Sequence, residues 1–99
     1  MIYEHAYLRV AADNQAAFEQ AAPKAREILL SVHGCREVLI NKSVDVRDLY
    51  LLRVGWDRIE DHLERFATSD QGAALGDLIG GLFAEPPVVE HFEDRDLSA

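Results

Sequence analysis

The stretch Leu49–Phe66, LYLLRVGWDRIEDHLERF, decides the fold. Its first eight residues set Leu49, Leu51 and Arg53 against Tyr50, Leu52, Val54 and Trp56, which is the two-residue period of a strand. Asp57 follows at once, with Glu60 three residues further on. That capping-box spacing satisfies orphan amides and predicts a helix whose inward stripe is Ile59, His62, Leu63 and Phe66. Neither side of the strand is simply polar, although an antiparallel sheet with one face in water alternates cleanly. The sheet is therefore expected to be covered on both faces.

Working outward, CREVLINKSV from Cys35 reads as a strand and DVRD (45–48) as the turn of a hairpin into Leu49. Ile2 to Val10 is another strand, with Ile2, Glu4, Ala6, Leu8 and Val10 in one phase and Tyr3, His5, Tyr7 and Arg9 in the other. Between them, Phe18, Ala21, Ala22, Ala25, Ile28, Leu29 and Val32 keep helical spacing up to Gly34. Asp13 or Asn14 is the expected cap, and Pro23 predicts a kink or restart. Downstream, Ser69 or Asp70 can cap a third helix bearing Ala74, Leu75, Leu78, Ile79, Leu82 and Phe83, halted by Pro86 and Pro87. VVEHFED (88–94) is a last strand, and RDLSA a polar tail. The order is βαββααβ, a split β-α-β pattern with one extra helix. It predicts an α+β, ferredoxin-like domain over residues 1–99 with a four-stranded antiparallel sheet.

Three short helices cover one face of such a sheet. A second copy of the chain, packed sheet to sheet about a two-fold axis, is the economical cover for the other, so a homodimer forming a dimeric α+β barrel is expected. The alternative is a monomer whose second face is made tolerable by Arg53, Glu4 and Glu90. Arg53 is expected to meet a partner-subunit carboxylate.

Eighteen acidic against ten basic residues give a formal net charge of −8, which repels polyphosphates and anionic headgroups. Nucleic acid and membrane surfaces are accordingly excluded as partners. Cys35 is the only cysteine. The segment MIYEHAYLRV lacks the basic flank and apolar run of a signal peptide, and a cytoplasmic protein is expected.

Three segments carry a family resemblance: HGCREVLINKSVDVRDLYLLRVGW (33–56), WDRIEDHLERFATSD (56–70) and LFAEPPVVEHFED (82–94). In order and spacing they resemble the antibiotic biosynthesis monooxygenases of the dimeric α+β barrel superfamily, across nearly the whole chain. The resemblance implies a pocket between sheet and helices in each subunit. It also implies oxygenation of phenolic or quinol-like aromatics by O2 without flavin, haem or metal. Leu52 stands one turn before the tryptophan, where the family's aromatic oxygenases carry asparagine. Haem-degrading relatives pair the tryptophan with a first-strand asparagine that this chain lacks, so no cofactor is expected.

Oxygenation without a cofactor needs an electron-rich phenolate, hence a base that works near neutrality, and histidine is the side chain already poised there. His62, on the apolar stripe near Trp56, is the first candidate, beside a plain packing role. Trp56 is the expected aromatic wall, with Tyr50, Leu52, Phe66, Phe83 and His91 as further substrate contacts. His91 and His5 lie on strands expected to be neighbours, yet no HxH, HExxH or CxxC spacing supports a metal. His33 is read as a partner for a helix dipole, and Cys35 as a small buried hydrophobe. Gly80 and Gly81 mark either a lid or tight helix-to-sheet packing. The function expected is a cofactor-independent monooxygenase of a small aromatic. A non-catalytic binder, or a lyase or isomerase of polyketide-type metabolism, is the alternative.

Overall fold

A computed structural model describes residues 1–99. The strands are β1 (Ile2–Arg9), β2 (Cys35–Lys42), β3 (Leu49–Trp56) and β4 (Val88–Glu93); the helices are α1 (Ala12–Leu30), a π-helix (Asp61–Phe66), α2 (Asp70–Ile79) and a 3-10 turn (Gly80–Leu82). The sheet runs β2-β3-β1-β4 with every neighbour antiparallel, the ferredoxin-like arrangement. No helix is long and apolar enough to cross a membrane.

Register fixes what each face carries. Ala6 lies opposite both Leu52 and Val89, and Glu4 opposite Val54 and His91. Glu4, Ala6, Leu8, Tyr50, Leu52, Val54, Trp56 and Val38 are buried beneath the helices with Phe18, Leu29 and Ile79. Glu4 thus lies on the covered face and does nothing to make the open one tolerable. The open face holds Tyr3, His5, Tyr7, Leu51 and Arg53 in the alternate phase, with Leu39, Val88 and Phe92 between 46% and 60% exposed. Arg53 finds its carboxylate within the chain, at Glu37 (3.2 Å), and stacks over the Tyr3 ring at 3.8 Å. His5 points to this side, against Phe92, and so lies across the sheet from His91.

Three local expectations change. α1 begins at Ala12 with Ala11 before it and no side-chain cap, and it continues through Pro23 without a restart. Asp57 makes a bidentate pair with Arg36 (2.7 Å to each oxygen), which holds its carboxyl below the usual carboxylate range, so it is not the cap. The box closes one residue later, where the Asp61 carboxylate accepts from the Arg58 N–H at 3.2 Å. Because the helix that follows is of π type, each residue turns through a smaller angle than in an α-helix, and the inward stripe changes. Asp61 is buried at 2% exposure while Leu63 is 53% exposed. Ser69 caps α2 as expected, its Oγ accepting from the Gly72 N–H at 3.0 Å.

Gly34 seats this helix. Its φ of +86° is left-handed, and a Cβ there would collide with the Asp61 carboxyl group. Its carbonyl also accepts from the Asp57 N–H at 2.8 Å. Gly34→Ala is expected to cost about 1–2 kcal/mol for the backbone alone, seen as a lower urea midpoint, and to displace the helix that carries His62.

Candidate functional site

The largely apolar cavity between the sheet and α2 has a volume of about 220 Å³. Glu4, Ala6 and Leu8 of β1 and Leu52 of β3 form its floor, and Phe66, Leu75, Ile79 and Phe83 its roof and sides. A dry apolar cavity of about 150 Å³ takes benzene, so this one matches a single substituted ring better than a fused polycycle.

Gly80 lines the same cavity, and a Cβ at Gly80 or Gly81 meets no atom within 4 Å. Close packing is therefore not what either glycine serves. Gly80 has right-handed backbone angles, φ −58° and ψ −36°. Gly80→Leu is expected to fold with stability equal to or above the native protein's, since glycine disfavours helix by roughly 0.5–1 kcal/mol. It should also fill the cavity and abolish ligand binding, which thermal melts and titration calorimetry with a phenol would check together.

Glu4 is the one charged side chain on the cavity wall. The Trp56 indole N–H donates to its Oε1 at 2.9 Å, and His62 Nε2 lies 3.4 Å from the same oxygen. Oε2 makes no hydrogen bond within the chain and is not sealed from solvent, which leaves it free to accept from a molecule in the cavity that Glu4 lines. Burial pushes the carboxyl up to about 7, opposed by the Trp56 hydrogen bond. Behind it, the His62 ring stacks on Trp56 at 5.3 Å and 14°, and its Nδ1 meets His91 Nε2 at 2.9 Å. Burial, helped by His91, pulls His62 down to about 4. At neutral pH this imidazole is uncharged, so its 3.4 Å approach to Glu4 is not an ion pair.

Of the residues expected from sequence, Leu52, Phe66 and Phe83 line the cavity. Trp56, His62 and His91 form a layer behind Glu4, so the histidine read as the base does not stand on the wall. Tyr50 lies apart, its ring 4.7 Å from Phe18 and its hydroxyl donating to Glu19. Sequence reasoning missed Glu4, although its signal was present: it is the only acidic residue in the phase Ile2, Glu4, Ala6, Leu8, Val10. Cys35 is buried as expected, its thiol pushed up to about 11 by burial and by the nearby Glu4 charge. His33 is exposed just beyond the end of α1.

Comparison with known proteins places this geometry among relatives. The sequence profile described as antibiotic biosynthesis monooxygenase matches residues 1–75. The uncharacterised protein YczJ of Bacillus subtilis (strain 168) is 31% identical over 94 residues, which is 95% of this chain and 99% of that one. Among solved structures, a candidate antibiotic biosynthesis monooxygenase from Bordetella bronchiseptica is 31% identical and superposes with a TM-score of 0.90, over 95% of this chain and 96% of that one. Another so described, from Caulobacter crescentus CB15, shares the fold at 21% identity with a TM-score of 0.81, covering 96% and 90% of the two chains.

Proposed function

This chain belongs to the antibiotic biosynthesis monooxygenase family, and we propose that it is a cytoplasmic homodimer that oxidises a single-ring phenol or quinol with O2, without a cofactor. The observation that carries this reading is a lone carboxyl group, poised near neutrality, on the wall of a ring-sized apolar cavity. Glu4 Oε2 takes the phenolic proton. Phe66, Phe83 and Leu52 hold the ring and exclude water, which strengthens the carboxylate as a base. The phenolate passes an electron to triplet O2, and the radical pair joins at a ring carbon bearing hydrogen. Glu4 returns its proton to the peroxide so formed, and loss of water, which takes the hydrogen from that ring carbon, leaves a quinone. One oxygen atom enters the ring and the other leaves as water; the ring supplies all four electrons, so no external reductant is needed.

The base is thus Glu4, with His62 behind it. Oxygen uptake across a panel of one-ring phenols and quinols tests the reading, with ¹⁸O₂ placing one labelled atom in each quinone. Product formed without O2 would move the assignment to a lyase or isomerase. Binding without turnover would make the chain a small-molecule binder. The open sheet face, with Leu39, Val88 and Phe92 exposed, supports the dimer. Light scattering is expected to give twice the 11.1 kDa chain mass; a stable 11.1 kDa species at high concentration would overturn it.

A further inference from the structure

A ring that fills this cavity cuts Glu4 off from water on that side, yet a carboxyl that still holds a proton at about pH 7 must lose it before Oε2 can act as the base. The structure holds one other route. Glu4 Oε1 faces His62 Nε2 at 3.4 Å, and the other nitrogen of that ring, Nδ1, faces His91 Nε2 at 2.9 Å. His62 is only 15% exposed, whereas His91 is half-buried on β4, the outermost strand of the sheet. The three groups come from β1, the π-helix and β4, and their successive contacts connect the cavity wall to the edge strand.

We propose that His62 and His91 form a two-imidazole relay that carries protons between Glu4 and bulk water while the cavity is occupied. In release, the Glu4 Oε1–H bond breaks as a bond to His62 Nε2 forms. The Nδ1–H of His62 breaks as a bond to His91 Nε2 forms, and His91 loses its Nδ1 proton to water. Uptake is the reverse. Each ring ends neutral with its proton on the other nitrogen, so no imidazolium need form in the buried layer. That matches a His62 whose charged form is suppressed by burial. The other groups facing Glu4 cannot substitute. Trp56 of β3 donates only, and Cys35 of β2 holds its proton more tightly than a free thiol. Both histidines are positioning residues, acting through Glu4 without touching the ring.

The relay is legible without substrate, so its test does not depend on the proposed reaction, although its use in turnover rests on that reading. In ¹⁵N-labelled protein, long-range proton–nitrogen spectra show which nitrogen of each ring carries hydrogen, and the ¹³C carboxyl shift follows Glu4. Above the Glu4 midpoint both rings should carry hydrogen on Nε2. Below it both should carry hydrogen on Nδ1, with a midpoint shared with the carboxyl. In Glu4→Gln both interchanges should vanish, and amide spectra would verify the fold. In His91→Phe, at a half-exposed edge position, His62 should keep hydrogen on Nε2 throughout. Either ring holding a single tautomer while Glu4 titrates would overturn the proposal, as would an unchanged His62 interchange in His91→Phe. The Glu4 proton would then exchange through the cavity alone.

Discussion

Glu4→Gln becomes more stable than the native protein as the pH rises, by about 3 kcal/mol at pH 8. The Glu4 carboxyl moves from an ordinary 4.5 in the unfolded chain to about 7 in the folded one. Between those values the folded chain holds a proton that the unfolded chain has lost, so native stability falls as pH rises across the window and levels off above it. The amide has no such proton, and the difference between the two proteins therefore grows over that window. His62 works in the opposite sense. Its folded value of about 4 lies below the ordinary 6.5, so the stability it contributes is present above 6.5 and is lost as pH falls toward 4.

The two slopes oppose each other between 4.5 and 6.5 and largely cancel in the native protein. Each variant exposes the remaining one. Stability of His62→Phe should fall from pH 4.5 to 7, and that of Glu4→Gln should rise from 4 to 6.5, each by about 3 kcal/mol. Urea unfolding at half-unit pH steps measures both, with the wholly buried Trp56 as the fluorescent reporter. A constant offset between Glu4→Gln and the native protein would mean that folding does not shift this carboxyl.

The parts of this site that could be read from sequence are those set by local period. Alternation in Ile2–Val10 and Leu49–Trp56 gives the strands, and it places Glu4, Leu52 and Trp56 in the phases found beneath the helices. Local pattern does not contain the docking of Asp61 onto Gly34, because that contact joins a helix start to a turn before β2. An α-helical period therefore put Leu63 inward, where the π-helix puts Asp61. The Trp56–Glu4 and His62–His91 contacts span 52 and 29 residues; sheet register brings the first pair together, and the second also needs the π-helix docked against β4. His62 was recognisable as an inward polar group. Its partner left a signal, one acidic residue in an apolar phase, but that signal alone does not say whether the glutamate faces water or a cavity.

The largest effect on activity is expected at the same carboxyl. Glu4→Gln keeps the volume of the side chain and an oxygen to accept from Trp56, but it removes the base. Turnover should drop by about 10²–10⁴-fold with KM nearly unchanged, because Leu52, Phe66 and Phe83 still hold the ring. Native activity should rise with pH to a plateau as Glu4 ionises around 7. The variant should instead follow the phenol's own ionisation, near pH 10 for an ordinary phenol, since a ring that enters already ionised needs no base. Recovery is favoured further because the amide, unlike the carboxylate, does not repel an incoming phenolate. His62→Phe leaves Oε2 on the cavity wall, so it should retain more activity than Glu4→Gln near neutral pH. Loss of turnover in His62→Phe equal to that in Glu4→Gln, with Glu4 still titrating, would return the base to the histidine. A Glu4→Gln enzyme as active as the native one at every pH would remove the carboxyl from the reaction altogether.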